Sequence, residues 1–243
     1  MCFDAARACG WVSKDHRLEH IGFGVVLGED GKKFKTRSGE TVRLVDLLDE
    51  GVRRMKARRK GFAAILERVE AGKITTSPEA VDSSAAEMGY GAVKYFDLRN
   101  HPTTPYVFSY DRMLDTRGNT AVYLQFAHAR LQSILRKAEE EKGVDLNALK
   151  ASGTVCVVHE TERALAFELL LFTDVIETLV EDLCPNRMCD YLYTLSTKFT
   201  DFVTQCRVLD SPEQGGRLLL CEATGVTMRM CFKLLGMNAL DRL

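Results

Sequence analysis

Asn119-Thr-Ala-Val-Tyr-Leu-Gln-Phe-Ala-His-Ala-Arg-Leu-Gln-Ser-Ile-Leu-Arg-Lys-Ala138 carries the clearest periodic signal in the chain. Leu124, Ala127, Leu131, Ile134, Leu135 and Ala138 recur at steps of three and four, so they share one side of a helix. A second stripe, Tyr123, Phe126 and Arg130, runs beside the apolar one rather than on it. Aromatic rings with an arginine can stack on unpaired bases. The same spacing also fits a bundle edge with an arginine whose stem lies on apolar surface. His128 has no partner at metal or catalytic spacing and reads as a structural histidine.

The pattern extends outward in both directions. Residues 160–183 predict one helix and residues 186–207 another, separated by Pro185 with Asn186 as N-cap. Met188, Leu192, Leu195, Phe199, Phe202 and Cys206 keep a strict alternation of four and three. A last helix over 217–235 stops at Gly236. Helices joined by mostly short loops predict a bundle over 106–243. Toward the N-terminus, residues 3–10 read as the end of a helix closed by Gly10. A long helix begins near Val42, and another covers 83–97. The only strong strand signal is the apolar run 20–27, with an extended piece at Tyr106-Val-Phe. One strand leaves its edges unpaired, so the front of the chain reads as the remnant of a larger α/β domain.

Between that strand and the helix at Val42 lies a glycine-bounded loop with four cations, Lys32, Lys33, Lys35 and Arg37. They repel one another unless an anion joins them, which suits a polyphosphate grip. Glycines 22, 24 and 28 are spaced G-x-G-x-x-x-G with no helix following, so they are not a dinucleotide fingerprint. His20-Ile-Gly-Phe imitates an H-I-G-H motif but sits in a strand and ends in the wrong residue.

Over 243 residues the formal net charge is only -1, yet residues 32–60 hold eleven Lys or Arg against four Asp or Glu. That block, with Arg53, Arg54, Lys56, Arg58, Arg59 and Lys60 almost contiguous, points to a polyanionic partner or a solvated helix face. Eight cysteines show no C-x-x-C pair and no histidine at metal spacing, so neither zinc nor a disulfide framework is expected. No apolar run reaches membrane-spanning length, and the first residues lack the apolar core of a signal peptide. A soluble, reducing, cytoplasmic setting is the expectation.

His20 to Leu48 resembles the end of the catalytic domain of arginyl-tRNA synthetases that carry a divergent K-M-S-K-S loop, here Lys33-Phe-Lys-Thr-Arg-Ser-Gly39. Phe108 to Ile134 resembles that family's entry into its anticodon-binding domain, and Leu234 to Leu243 resembles its C-terminus. The similarity covers nearly the whole chain. It implies a mainly α fold: a DALR-type helical anticodon-binding domain at 106–243, a helical connecting region at 42–105, and the end of a Rossmann-like class I catalytic domain at 1–41.

The resemblance implies a contribution to ATP-dependent arginylation of tRNA(Arg), with ATP and Mg²⁺ as substrate and no tightly bound cofactor. Lys33, Lys35, Thr36 and Arg37 would close over the phosphates. His20, Gly22, Phe23, Gly24, Val25 and Val26 would lie against the adenosine. Tyr123, Phe126, Arg130 and Leu243 would meet the anticodon loop, and Arg54 and Arg58 the tRNA backbone. Thr36 stands where the family's second loop lysine is usual, and Val203 where relatives commonly place an aromatic. The family's H-I-G-H motif and arginine pocket are expected upstream of residue 1, so the chain alone is expected not to aminoacylate. The alternative function is a stand-alone, non-catalytic tRNA-binding module.

Overall fold

The computed structural model describes residues 1–33, 43–69, 78–152 and 155–242, with side chains outside the description at 58–69 and 78–82. Ten helices and two short strands are found among the described residues. In chain order they are α1 (Cys2–Ala8), β1 (Val26–Leu27), α2 (Leu44–Val69), α3 (Pro78–Leu98), β2 (Tyr106–Val107), α4 (Tyr110–Met113), α5 (Ala121–Glu140), α6 (Leu146–Ser152), α7 (Glu160–Leu170), α8 (Phe172–Asp182), α9 (Asn186–Gln205) and α10 (Gln214–Leu234). The mainly helical class and the small α/β remnant are as the sequence indicates.

The core lies among α3, α5, α7, α9 and α10. All six residues of the α9 stripe, from Met188 to Cys206, are buried, and so are Leu124, Leu131, Leu135 and Ala138 of α5. Removing such side chains from water supplies most of the stabilisation, at about 25 cal/mol per Å². Cys189, Cys206, Cys221 and Cys231 are buried among them as free thiols. Burial pushes the Cys221 and Cys231 thiols up to about 12, so they act as small apolar fillers rather than nucleophiles.

Four sequence expectations change. The predicted strand over 20–27 shrinks to Val26–Leu27: the one strand paired with it among the described residues is Tyr106–Val107, in parallel register Val26 to Tyr106 and Leu27 to Val107. Residues 160–183 form two helices: Leu171 donates its N–H to the Glu168 carbonyl three residues back, then serves as first acceptor for α8. No glycine or proline marks that break, so periodicity alone runs through it. The helix expected at 83–97 starts earlier, at Pro78, where a proline costs no hydrogen bond. Pro185, not Asn186, is the N-cap of α9, and it already has helical dihedrals. Asn186 therefore sits inside the first turn and cannot reach back to cap it. Its buried Oδ1 has no hydrogen-bond partner among the described residues.

Two glycines allow close approach. Gly89 of α3 faces the backbone of α2, where an added Cβ would come within 2.8 Å of Val52 Cα. At Gly24 a Cβ would lie 2.5 Å from the carbonyl carbon and oxygen of Thr104. That approach lets Gly24 N–H donate to Pro102 O at 2.6 Å just before the strands pair. Gly24→Ala is expected to lift residues 20–27 from the 102–108 segment. Faster hydrogen exchange at the Tyr106 and Phe108 amides, with the bundle amides unchanged, would register it.

Candidate functional site

Lys32 and Lys33 stand at the end of β1 because a tight turn brings the chain back. Gly28 N–H donates to Lys32 O at 2.8 Å, Gly31 N–H donates to Gly28 O at 2.9 Å, and Lys33 bridges antiparallel to Leu27. Gly31, at φ 72°, adopts the left-handed conformation the turn requires. Both lysines are exposed. Lys35, Thr36 and Arg37 lie outside the described residues. The strip expected to meet adenosine is open: His20 and Val25 are exposed, and Phe23 is 91% exposed. Gly22 and Gly24 pack toward Thr103 and Thr104, and Val26 packs against the core. The strip thus offers cations and an uncovered apolar edge side by side.

Arg17 ties this front segment to the bundle. Its Nη1 donates to Val180 O and its Nη2 to Glu181 O, both at 2.7 Å, while its Nε pairs with Glu19. Those carbonyls end α8, where acceptors lack intrahelical donors and a cation is favourable. Leu183 follows in a left-handed conformation, φ 56°, and closes the helix.

The basic block is partly committed to structure. Arg54 lies 4.4 Å over the Tyr110 ring, donates to Glu50 Oε1 at 2.7 Å, and approaches Asp111. Arg53 pairs with the same Glu50 through two hydrogen bonds. Hydrogen bonds from Arg53 and then Arg54 hold the Glu50 carboxyl down at about 2. The Arg58 side chain lies outside the described residues. Arg54 thus braces α2 against α4, with its charge shared rather than free.

On α5 the second stripe is where the sequence puts it. Thr120 caps the helix by accepting from Tyr123 N–H, and its own hydroxyl donates to Asp115 O at 2.7 Å. Tyr123 and Phe126 are half-buried and Arg130 is exposed. The Tyr123 ring meets Tyr193 of α9 edge-on at 5.7 Å, and its hydroxyl lies 3.3 Å from Thr200 Oγ1. The α9 helix thus supports one edge of the stripe while Arg130 remains in solvent. Val203, also on α9, is half-buried against the core. Leu243 lies outside the described residues.

Sequence reasoning missed how the C-terminal residues are held. Gln125, fully buried, donates from Nε2 to Asn238 O at 2.7 Å and accepts from Leu240 N–H at 2.9 Å. His128 is 0% exposed; its Nδ1 lies 3.0 Å from Leu240 O and its Nε2 3.3 Å from Gln132 Nε2. One protonation state meets both contacts: Nδ1–H donates to the carbonyl, and Nε2 accepts from the Gln132 amide. Burial, followed by the charge of Arg229, keeps the imidazole below its ordinary 6.5, outweighing the Leu240 carbonyl and Asp241. A histidine with a lowered folded value gives its full stability above pH 6.5, and that contribution is lost as pH falls from there through the folded value. The urea midpoint of the protein should drop over that interval, and less so in His128→Asn.

Among the described residues no group of His, Cys, Asp or Glu is placed to hold a metal, and no helix is long and apolar enough to cross a membrane.

Comparison with known proteins adds the following. The DALR anticodon binding domain model matches residues 124–243, and the model of the class I (R) tRNA synthetase catalytic domain matches residues 1–110. The chloroplastic/mitochondrial arginine–tRNA ligase of Arabidopsis thaliana is 49% identical over 242 residues, covering 98% of this chain and 36% of that protein. The cytoplasmic enzyme of the same plant is 48% identical, covering 100% of this chain and 40% of that protein. The arginyl-tRNA synthetase structure from Plasmodium falciparum superposes with a TM-score of 0.79 at 29% identity, over 99% of this chain and 38% of that one. The Thermus thermophilus arginyl-tRNA synthetase gives 0.71 at 25% identity, over 92% and 35%. The chain spans well under half the length of the curated relatives it matches.

Proposed function

Because this chain belongs to the arginyl-tRNA synthetase family, we propose that it serves the ATP-dependent joining of arginine to tRNA(Arg), supplying a phosphate-closing loop and the anticodon-reading surface. The observation that carries the reading is the α5 stripe: two half-buried rings, Tyr123 braced by α9, with Arg130 exposed beside them. Bases of a single-stranded anticodon loop can stack on such rings and receive hydrogen bonds from a guanidinium.

The loop reading rests on Lys32 and Lys33, held at the end of β1. In the overall reaction the arginine carboxylate attacks the α-phosphorus of ATP and pyrophosphate leaves. Arginine then passes from the adenylate to a terminal ribose hydroxyl of the tRNA. Lys33, with Lys35 and Arg37, would stabilise the charge that grows on the departing pyrophosphate. Thr36 adds no charge, so the neighbouring cations take that share. Mg²⁺ would accompany ATP on its phosphates, where it neutralises charge, and the loop cations suit the same polyphosphate. His20, Gly22, Phe23, Gly24, Val25 and Val26 would offer the adenosine its apolar edge. Arg58 on α2 and Leu243 at the end of the tail complete the proposed tRNA contacts. The division into 1–41, 42–105 and 106–243 follows the same reading, as does a cytoplasmic location, by analogy with the cytoplasmic plant relative.

The isolated chain is expected to bind tRNA(Arg) without charging it. The alternative, a stand-alone tRNA-binding module, is less favoured because relatedness to the ligases extends through the loop segment as well as the bundle. Affinity for tRNA(Arg) and for a cysteine tRNA, each measured at two salt concentrations, tests the reading. A preference for tRNA(Arg) that persists at higher salt supports it. Equal affinities that vanish together with salt would reduce the surface to a backbone-binding patch.

A further inference from the structure

We propose that Gln125, His128 and Gln132 form a polar latch that seats the residues Asn238–Arg242 along α5, so that this tail becomes the second wall of the RNA-binding face and helps to set its affinity. The inference rests on the RNA-binding reading above and names residues which that reading does not use.

The helical geometry places the latch and the stripe on different flanks. At about 100° per residue, Gln125, His128 and Gln132 cluster roughly 160° around the helix from Tyr123, Phe126 and Arg130. Their contacts agree: the stripe meets α9 through Tyr193 and Thr200, while the latch meets the tail through Asn238 O, Leu240 N–H and Leu240 O. Ala129 and Ser133 fall on the outward arc between the two flanks and are half-exposed. Small side chains there leave a shallow floor with Arg130 on one side and the tail on the other.

The tail has no regular structure of its own, so its course depends on what grips its backbone. Three of its backbone groups are satisfied by side chains that are almost wholly buried. Asn238 adds a hydrogen bond from Nδ2 to Glu87 of α3 at 2.8 Å. Buried polar groups are costly unless fully paired, and here each latch residue is paired. Seated this way, Asp241 and Arg242 border a cavity of about 440 Å³ whose lining mixes Arg136 and Arg229 with Glu139, Glu140 and Glu222. The tail therefore brings one acid and one base, Asp241 and Arg242, to the edge of α5 that presents Arg136, so its effect on RNA lies in the course of its backbone rather than in added charge.

As seated here, the latch holds neutral His128, with Nδ1–H on the Leu240 carbonyl and Nε2 facing the Gln132 amide. A second proton would place N–H on Nε2 against the Gln132 amide, which now lies 3.3 Å away as a donor. The groups facing the ring are Asp241 of the tail, 3.9 Å from Nδ1, Arg229 of α10, Gln132 of α5, and the edge-on ring of Phe232. Burial and Arg229 oppose the second proton while the Leu240 carbonyl and Asp241 favour it, so the strain falls on the Gln132 contact and not on the grip of Nδ1 on the tail.

The test uses the full chain and an anticodon stem-loop of tRNA(Arg), with hydrogen exchange of the tail amides that every variant keeps, Ala239, Asp241 and Arg242, as an independent reading of tail seating. Leu240→Pro removes the donor to Gln125 without altering α5, and His128→Leu removes the grip on Leu240 O. Both should speed exchange across the tail and weaken stem-loop binding about tenfold. His128→Asn can still donate to that carbonyl, so it should restore most of the affinity that His128→Leu loses. A released tail with wild-type affinity in Leu240→Pro would overturn the proposal, as would a tail that stays seated in that variant. Failure of the wild-type chain to bind the stem-loop would instead overturn the RNA-binding reading on which it stands.

Discussion

Glu162→Ala should destabilise the bundle by about 3 kcal/mol, the range for breaking a buried ion pair on one side. Glu162 is 0% exposed and accepts three hydrogen bonds: Arg217 Nε donates to Oε1 at 2.6 Å, while Val158 and His159 N–H donate to Oε2 at 2.7 and 2.9 Å. His159 completes a capping box at the start of α7. Arg217 starts from α10 and also donates to Arg207 O, so one carboxylate joins α7, α10 and the loop after α9. Burial pushes the Glu162 carboxyl up, but hydrogen bonds from His159, Arg217 and Val158 outweigh it and hold the group below its ordinary range. By linkage, its contribution is complete above the ordinary carboxylate range and disappears as pH falls through the lowered folded value. Urea unfolding followed by far-ultraviolet circular dichroism at neutral pH measures the loss. A change below about 1 kcal/mol would mean that solvent replaces those partners.

Phe126→Ala and Arg130→Ala should each weaken binding of the tRNA(Arg) anticodon stem-loop by about 5- to 150-fold, equivalent to ~1–3 kcal/mol for one stacked or paired base. Phe126 is half-buried, so its loss also removes some packing, and the folded fraction must be checked in parallel. Arg130 is exposed, and its replacement should leave unfolding nearly unchanged. Tyr123→Phe tests the support rather than the contact: it loses only the hydroxyl near Thr200, so a smaller effect is expected. Binding that is indifferent to both Phe126 and Arg130 would remove the stripe from the interface.

The bundle was legible because its helices advertise themselves by period. The α9 stripe and the α5 stripe bury the residues that their spacing selects, except that Ile134 of α5 is half-buried. The aromatic and arginine stripe of α5 was legible for the same reason, since a helix fixes which residues share a face. What escaped the sequence is non-local or unmarked. Nothing near Gln125 or His128 signals that they grip a chain segment more than 100 positions away. Arg17 reaches α8 across 163 positions by hydrogen bonding to carbonyls, which every residue possesses and no pattern reveals. The turn at Leu171 uses ordinary helical dihedrals and an ordinary leucine. The apolar run 20–27 misled because strand propensity says what a segment would do with partners, and among the described residues the one strand that pairs with it is the two-residue Tyr106–Val107. Arg54 looked like a free cation in a basic run, whereas Tyr110 and Glu50 engage it.

The central claim is that the outward face of α5 reads the anticodon bases. A double-mutant cycle tests it most directly: wild type and Arg130→Ala, each titrated with the tRNA(Arg) anticodon stem-loop and with versions carrying single base changes in the loop. The account predicts that at least one base change costs affinity in the wild type and costs little more once Arg130 is gone, so the two losses are strongly non-additive. Fully additive losses at every loop position, with Arg130→Ala weakening all stem-loops equally, would contradict it.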